Sequence, residues 1–209
     1  MPRQLRIFVP GLSVHAIHRG NNRGRIFDDQ EDYETFLAML RAGAWRCRVS
    51  VHAYGLMTNH YHLIVTPADA GALPRMMQAL GVRYVLYFNR KYTRVGTLWC
   101  GRYRGLPIED EKYWLTCLRY VEQNPVRAGI VEAPEMYAWT SYRVHAFGAE
   151  SDWLEPHSVY LSLGRNPKER QIAYRALCAA QVTDTQLVQQ RLGGRAGVRP
   201  GSEEGQTCL

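Results

Sequence analysis

Residues 49–67 read VSVHAYGLMTNHYHLIVTP, and this stretch decides the fold class. Its two halves, 49–57 and 60–67, are rich in the β-branched and aromatic side chains that favour strands. Only Thr58 and Asn59 separate the two halves, and so short a connection favours a tight antiparallel turn. The stretch is therefore predicted to form a β-hairpin.

The second strand of this hairpin carries two histidines, His60 and His62, separated by Tyr61. Residues two apart on a strand share a face, so the two imidazoles are expected side by side with Tyr61 on the opposite face. Two protonated imidazoles would repel each other, and a shared cation is a natural reason to place them together. A hydrogen-bonded pair or a surface pair is the alternative interpretation.

Two imidazoles do not complete a metal site, so further ligands are required. The remaining histidines show no second closely spaced pair; they are His15, His18, His52, His145 and His157. A substrate oxygen, water and one more side chain are the expected additional ligands.

Working outward from the hairpin, the hydrophobic spacing predicts a regular succession of strands and helices. The predicted elements are a strand at 13–19, a helix at 28–47, the hairpin, a helix at 72–92, a short strand near 102–108, a helix at 110–125 and a last helical region at 166–191. This order predicts an α+β fold of ferredoxin-like type, in which helices pack on one side of an antiparallel sheet.

The charge of the chain is unevenly distributed. Its 209 residues suffice for one domain with a core and an appendage, and its net charge is +7. No acidic residue lies between Asp69 and Glu109, a stretch that carries Arg75, Arg83, Arg90, Lys91, Arg94, Arg102 and Arg104. Such a basic stripe indicates a polyanionic partner, usually nucleic acid, although a solvated helix face followed by a basic loop is the alternative.

Several other classes of protein are disfavoured. No apolar stretch is long enough to cross a bilayer, and the opening residues MPRQLRIFVPGLS lack the features of a signal peptide. We therefore expect no membrane partner and a cytoplasmic location. Neither a GxxxxGK nor a GxGxxG motif occurs, so no nucleotide pocket is indicated.

The predicted third helix contains LRYVEQNPVRAG, in which Tyr120 and Asn124 are four residues apart. On a helix they would share a face, one turn apart. Beside a metal the pair makes chemical sense, because the amide oxygen can bind a cation and the phenolate can attack phosphorus. A packing role for Tyr120 is the alternative.

Six segments together resemble the single-tyrosine HUH transposases, and in particular the REP-associated tyrosine transposases, which act on repetitive extragenic palindromes in bacteria. The hairpin segment GLMTNHYHLIV and the helix segment LRYVEQNPVRAGIV carry most of the resemblance. VHAIHRGNNRGRIF, FNRKYTRVGTLWCGRYRG and WTSY occur in the family's order, and DWLEPHSVYLSLGRNPKERQIAYRAL resembles its C-terminal extension. The resemblance covers about residues 5–180.

This resemblance implies a role for each motif residue. His60, His62 and Asn124 would bind a divalent metal, Mg²⁺ or Mn²⁺, and Tyr120 would be the nucleophile. Tyr61 is expected to be a decoy on the wrong face of the strand. The implied organisation is a catalytic domain at residues 1–145, a helical extension at 146–192 and a disordered tail at 193–209.

The resemblance also implies a reaction and a partner. The expected activity is cleavage and joining of single-stranded DNA at palindromic hairpins through a 5′-phosphotyrosine intermediate. A monomer is favoured and a dimer is possible, in the bacterial cytoplasm and on the nucleoid when DNA is bound.

Two basic segments are candidates for DNA binding. Arg19, Arg23 and Arg25 in RGNNRGR could contact a phosphate, and further candidates lie in the basic stripe. The stripe candidates are Arg83, Arg90, Lys91, Arg94, Arg102 and Arg104 for phosphates, with Tyr92, Trp99 and Tyr103 for stacking on bases. Burial under the loop is the alternative for Trp99.

Two other functions remain open at this point. A metal-dependent phosphodiesterase that uses water would share the histidine site but would form no protein–DNA adduct. A non-catalytic hairpin-binding protein would bind DNA in a salt-sensitive manner without needing the tyrosine.

Overall fold

The computed structural model describes residues 8–180 as a four-stranded antiparallel sheet covered by helices. The strands lie in the order β2-β3-β1-β4, with β1 at Val14–Arg19, β2 at Val49–Met57, β3 at His60–Pro67 and β4 at Arg104–Pro107. The hairpin is confirmed, because β2 and β3 pair directly across the Thr58–Asn59 turn. The α+β class and the ferredoxin-like sheet are confirmed as well.

One face of the sheet packs against two long helices, α1 (Gln30–Cys47) and α2 (Ala72–Lys91). The start of α1 is fixed by a capping box, because the Asp29 side chain accepts from the backbone of Asp32 and the Asp32 carboxylate accepts from the backbone of Asp29. The sheet side chains in this core alternate along β3, which contributes Tyr61, Leu63 and Val65. The layer formed by α1 and α2 on this face matches the sequence prediction of helices packed on one side of the sheet.

The opposite face of the sheet is also covered, so the prediction of helices on one side only is wrong. Helix α3 (Glu111–Glu122) forms a second core with Ala53 of β2 and Ile64 of β3. This face of the hairpin carries the apolar side chains of Ala53 and Ile64 beside its histidines, and a covering layer is needed to exclude water from them. The contact is close at Gly55, where an added Cβ would lie 2.7 Å from the carbonyl oxygen of Val121.

Helix α3 is shorter than the 110–125 segment that the sequence predicts. It ends at Glu122, and Asn124 begins a separate turn, α4 (Asn124–Arg127). Pro125 lacks the N–H group that would continue the helical hydrogen bonds, so the regular bonding of α3 stops before it. Asn124 thus lies in the buried turn that directly follows α3.

The chain after α4 returns to α3 through three further helices, α5 (Tyr142–Phe147), α6 (Ser158–Leu161) and α7 (Pro167–Ala179). Tyr174 of α7 and His145 of α5 both contact the buried Glu122 carboxylate. Of the predicted last helix at 166–191, residues 181–191 lie outside the described residues, as does the predicted tail at 193–209. The division of the chain at residues 145 and 192 stays a prediction.

Across residues 8–180, none of the helices combines the length and the apolar character needed to cross a membrane.

Candidate active site between β3 and α3

His60 and His62 lie on the face of the sheet that α3 covers. Their ring centroids are 5.0 Å apart, with His62 buried and His60 partly accessible at the start of the strand. Tyr61 lies on the other face of the sheet, where it is fully buried and its ring packs 4.7 Å from that of Phe36. Strand alternation thus separates Tyr61 from the histidines, as predicted.

Helix α3 places Tyr120 against the same face of the sheet. The rings of Tyr120 and His62 meet edge to face with their centroids 5.5 Å apart. Tyr120 is 9% exposed, so it lies at the boundary between the core and solvent. The structure therefore brings together two residues that are distant in the sequence and that the motifs single out separately.

A third histidine, His15, adjoins this pair and was missed by sequence reasoning. It is fully buried on β1, and its Nε2 lies 2.9 Å from Nδ1 of His62 in a hydrogen bond. Its ring is also 6.0 Å from that of Tyr120. The alternation of VHAIHR puts His15 on the face opposite Val14 and Ala16. Only the pairing of β1 with β3 brings His15 into contact with His62.

Burial keeps these imidazoles neutral near pH 7. It lowers the pKa of His15 to about 3. Burial, with a smaller contribution from Arg19, lowers the pKa of His60 to about 4. The pKa of His62 is held well below its usual value by burial and by the neighbouring histidines. Since neutral imidazole is the form that binds metals, protonation does not block the site.

The side chains of His60, His62 and Asn124 suit a divalent cation whose remaining ligands come from a substrate. Nε2 of His62 is buried without a hydrogen-bond partner, as is Nδ2 of Asn124. A half-turn of an amide about its χ2 angle exchanges nitrogen for oxygen, so the Asn124 pocket can also present a carbonyl oxygen. Within the described part of the chain, no cluster of three or more His, Cys, Asp or Glu side chains could hold a metal alone. Oxygen atoms from outside the protein would have to complete the shell.

Two arginines act on the Tyr120 hydroxyl. Burial raises the pKa of Tyr120, while the positive charges of Arg127 and Arg19 lower it. The Arg127 guanidinium carbon lies 4.1 Å from the centre of the Tyr120 ring. These cations favour the phenolate, which is the nucleophilic form of the side chain.

Several of the predicted DNA-binding residues lie around this site. Arg19 is opposite His60 in the β1–β3 register, and Arg104 is opposite Ile17, which is itself opposite His62. Opposed residues of antiparallel strands share a face, so both arginines lie on the face of the histidines. The exposed Arg23 also adjoins the site, because its carbonyl oxygen accepts a hydrogen bond from the Asn59 side chain.

Other residues proposed for DNA contact are located elsewhere. Trp99 is only 8% exposed, and its indole N–H donates to the carbonyl of Gly81 at 3.1 Å, so its position fits the alternative of burial under the loop. Lys91 is bound in ion pairs to Asp29, Glu31 and Asp32, which leaves its ammonium poorly placed to contact phosphate.

The remaining members of the basic stripe are divided between the two layers. Arg83 and Arg90 are exposed on α2, on the face of the sheet away from Tyr120, and Arg94 follows α2 with its guanidinium 5.4 Å from the Phe88 ring. Arg25 forms an ion pair with Asp28. Arg102 is exposed and Tyr103 is partly buried in the segment before β4.

Comparison with known proteins identifies the family of the chain. The family model described as "Transposase IS200 like" matches residues 8–124, which is more than half of the chain and includes both histidines and Tyr120. The chain belongs to the IS200-like transposase family. This IS200-like transposase is thereby assigned to enzymes that process DNA in transposition. No match is found among curated proteins.

Solved structures share the fold. A REP-associated tyrosine transposase bound to a REP hairpin superposes with a TM-score of 0.55 at 15% identity, covering 75% of this chain and 93% of that one. A transposase from Deinococcus radiodurans gives a TM-score of 0.41 at 19% identity, covering 55% of this chain and 92% of its own. The second score is too low to support an argument, whereas the first shows that the two proteins share their architecture.

Proposed function

We propose that this IS200-like transposase cleaves and joins single-stranded DNA at palindromic hairpins of REP type, through a covalent 5′-phosphotyrosine at Tyr120. The observation that carries the proposal is the edge-to-face contact of Tyr120 with His62, at 5.5 Å between ring centroids. This contact supports Tyr120 rather than Tyr61 as the nucleophile, because Tyr61 is buried on the other side of the sheet.

In the proposed reaction, the Tyr120 oxygen attacks the scissile phosphorus and forms a new P–O bond. The bond between phosphorus and the 3′ oxygen breaks, and the leaving oxygen takes up a proton to become a free 3′-hydroxyl. The tyrosine proton passes to water. Arg127 and Arg19 stabilise the negative charge that develops on the phenolic oxygen during attack.

His60, His62 and Asn124 would hold a divalent cation, Mg²⁺ or Mn²⁺. When bound, such a cation supplies Lewis-acid polarisation of a non-bridging phosphate oxygen. Imidazole ligands favour Mn²⁺ or another transition ion, and oxygen atoms from DNA suit both ions. The protein's own contribution is to hold neutral imidazoles at a buried position next to the nucleophile.

The phosphotyrosine ester conserves the energy of the broken bond. A 3′-hydroxyl from another strand can therefore displace Tyr120 and restore a phosphodiester without ATP. This property suits strand transfer, and it is consistent with the lack of a P-loop motif in the sequence.

The proposed partner is a DNA hairpin with single-stranded flanks. Arg19, Arg23 and Arg104 supply positive charge near the site, so binding should weaken with salt. The structural relative bound to a REP hairpin supports the choice of substrate. We infer that the protein acts as a monomer in the bacterial cytoplasm and on the nucleoid when DNA is bound.

A direct test is trapping of the covalent intermediate. Purified protein is incubated with labelled hairpin oligonucleotides from the host's own palindromes and with Mn²⁺ or Mg²⁺, and the products are separated on a denaturing protein gel. The expected result is a DNA-shifted band that disappears in Tyr120→Phe and persists in the matched control Tyr61→Phe.

The other outcomes distinguish the alternatives. Cleaved DNA without an adduct, unchanged in Tyr120→Phe, would identify a hydrolase that uses water. Salt-sensitive binding without cleavage or adduct, unaffected by Tyr120→Phe and His62→Ala, would identify a hairpin-binding protein. A known active relative in parallel reactions establishes that the assay works.

A further inference from the structure

The two HUH histidines, His60 and His62, each have Nδ1 hydrogen-bonded to a neighbouring side chain. Nδ1 of His60 lies 2.6 Å from Oδ1 of Asn59. Nδ1 of His62 lies 2.9 Å from Nε2 of His15. In each ring this leaves Nε2 as the nitrogen available for a cation. A metal-bound imidazole needs such a second partner, because that hydrogen bond selects the tautomer and fixes the ring.

The Asn59 contact fixes the tautomer of His60. The Asn59 side-chain nitrogen donates to the carbonyl oxygen of Arg23 at 3.2 Å, so its oxygen is the atom that faces His60. An amide oxygen only accepts hydrogen bonds, and Nδ1 of His60 must therefore carry the proton. Nε2 of His60 is then left with its lone pair.

The backbone around Asn59 is held by the loop that follows β1. The N–H of Gly20 donates to the carbonyl of Asn59, and the N–H of Ile26 donates to the carbonyl of Thr58, both at 2.8 Å. The loop can close this tightly because residue 20 is glycine: an added Cβ would lie 2.2 Å from the carbonyl oxygen of Gly24. Asn59 is thus presented to His60 by a rigid support.

The His15 contact acts on His62 in the corresponding way. Two neutral imidazoles share one hydrogen in such a bond, so either ring is the donor. If His62 donates, its buried Nε2 carries a lone pair. If His15 donates, the N–H of His62 lies at Nε2, where the structure offers it no acceptor, just as it offers none to the N–H at Nδ1 of His15 in the first arrangement. Only the first arrangement allows His62 to bind a cation.

We propose that Asn59 and His15 are positioning residues of the metal site, each accepting the Nδ1 proton of one HUH histidine so that both Nε2 atoms face the cation. The inference rests on the metal site of the proposed function. It assigns to the RGNNRGR loop the role of holding Asn59, in addition to any contact with DNA. It also explains why a histidine lies buried on β1 behind His62.

The first test is Mn²⁺ affinity, measured by electron paramagnetic resonance in a Tyr120→Phe background, with and without the hairpin oligonucleotide. His15→Phe keeps an aromatic ring but removes the nitrogen that accepts the His62 proton. Asn59→Leu keeps the shape of the side chain but removes the oxygen that accepts the His60 proton. Each is expected to weaken Mn²⁺ binding by about 10-fold to 100-fold. His15→Gln restores an acceptor and is expected to recover most of the affinity.

The matched control is His18→Gln. His18 is a buried histidine on the same strand, but it faces the other core, where its ring stacks on Trp99 at 4.3 Å. Its replacement should leave Mn²⁺ affinity unchanged. Circular dichroism and thermal melts establish that each variant is folded.

The second test reads the tautomers by long-range ¹H–¹⁵N correlation of the imidazole rings. His60 is expected to be protonated at Nδ1 even without metal, and His62 is expected to be protonated at Nδ1 once Mg²⁺ is added. An Nε2-protonated His60 in the metal-free protein would overturn the assignment to Asn59, whether or not any variant folds.

The results separate this inference from the proposed function. If the parent protein binds Mn²⁺ and His15→Phe and Asn59→Leu bind it equally well, the positioning role is wrong while the metal site stands. If the parent protein does not bind Mn²⁺ with or without DNA, the metal site itself is wrong, and the positioning role falls with it.

Discussion

The backbone carbonyl of Tyr120 accepts a hydrogen bond from Arg127, and the same guanidinium lies over the Tyr120 ring at 4.1 Å from its centre. One cation thus holds both the backbone and the ring of the proposed nucleophile. Arg127 lies seven residues after Tyr120, about two helical turns along the chain, and the short helix α4 that follows α3 carries it over the ring. The NPVR segment at residues 124–127 therefore holds Tyr120 in place through Arg127, in addition to following the end of α3.

Replacing Arg127 should slow covalent attack. Burial raises the pKa of Tyr120 and Arg127 opposes that effect, so Arg127→Gln should raise the pKa further. We expect adduct formation at neutral pH to slow on the order of 100-fold and its pH–rate curve to shift to higher pH. Arg143→Gln is a suitable control, since Arg143 also donates to a backbone carbonyl, that of Glu135. An unshifted pH–rate curve in Arg127→Gln would rule out its electrostatic role.

The division of the basic stripe between two layers predicts unequal effects on DNA binding. Arg23→Gln, near the histidines, should weaken hairpin binding several-fold and reduce the salt slope by about 1. Arg83→Gln removes an equally exposed arginine from α2, on the other side of the sheet, and should change neither quantity. Fluorescence anisotropy at several salt concentrations measures both. Equal losses in the two variants would mean that DNA also contacts α2.

Gly55→Ala should displace α3 from the sheet. The new Cβ would lie 2.7 Å from the Val121 carbonyl oxygen, and neither backbone can yield without moving Tyr120. We expect a loss of roughly 1–3 kcal/mol in the free energy of unfolding, together with slower adduct formation. In the control Gly43→Ala, a change within α1, the added Cβ meets the Met76 side chain of α2 at an ordinary 3.5 Å, so stability should hold or rise by up to about 1 kcal/mol. Urea unfolding measures the stability of both variants. An unchanged free energy of unfolding in Gly55→Ala would mean that α3 does not pack closely against Gly55.

Glu122→Ala should destabilise the α3 layer strongly. The Glu122 carboxylate is fully buried and accepts hydrogen bonds from Ser141, His145 and Tyr174 at 2.5–2.7 Å. Its removal leaves these groups without their acceptor, at a cost of about 3–5 kcal/mol. Glu34→Ala removes an exposed glutamate of α1 and should change stability by less than about 0.5 kcal/mol. A loss below about 1 kcal/mol for Glu122→Ala would show that water or repacking replaces the network.

The sequence was sufficient for features that depend on local periodicity. The strand alternation of HYHLIV separates His60 and His62 from Tyr61, because side chains two apart share a face wherever the strand pairs. The hairpin turn and the order of the strands and α-helices from β1 to α3 follow in the same way from short-range signals. The positions of Tyr120 and the histidines on candidate elements were therefore predictable before any packing was known.

Side-chain partners that depend on packing were not predictable. The burial of Trp99 and the ion pairs of Lys91 arise where loops and helices far apart in sequence meet, and both residues have the composition of a DNA-binding stripe. The end of α3 at Glu122, before the predicted end at residue 125, is by contrast a local effect, because Pro125 has no N–H group to continue the helix.

By itself, the sequence determined which face of β3 carries the two histidines and which tyrosine lies away from them. Only the tertiary structure decided that His15 binds His62, that α3 covers the face opposite α1 and α2, and that Arg127 lies on Tyr120. The physical reason is range: alternation along a strand is set by the backbone of neighbouring residues. The pairing of β1 with β3 and the seating of α3 are set by burial of apolar surface across the whole domain.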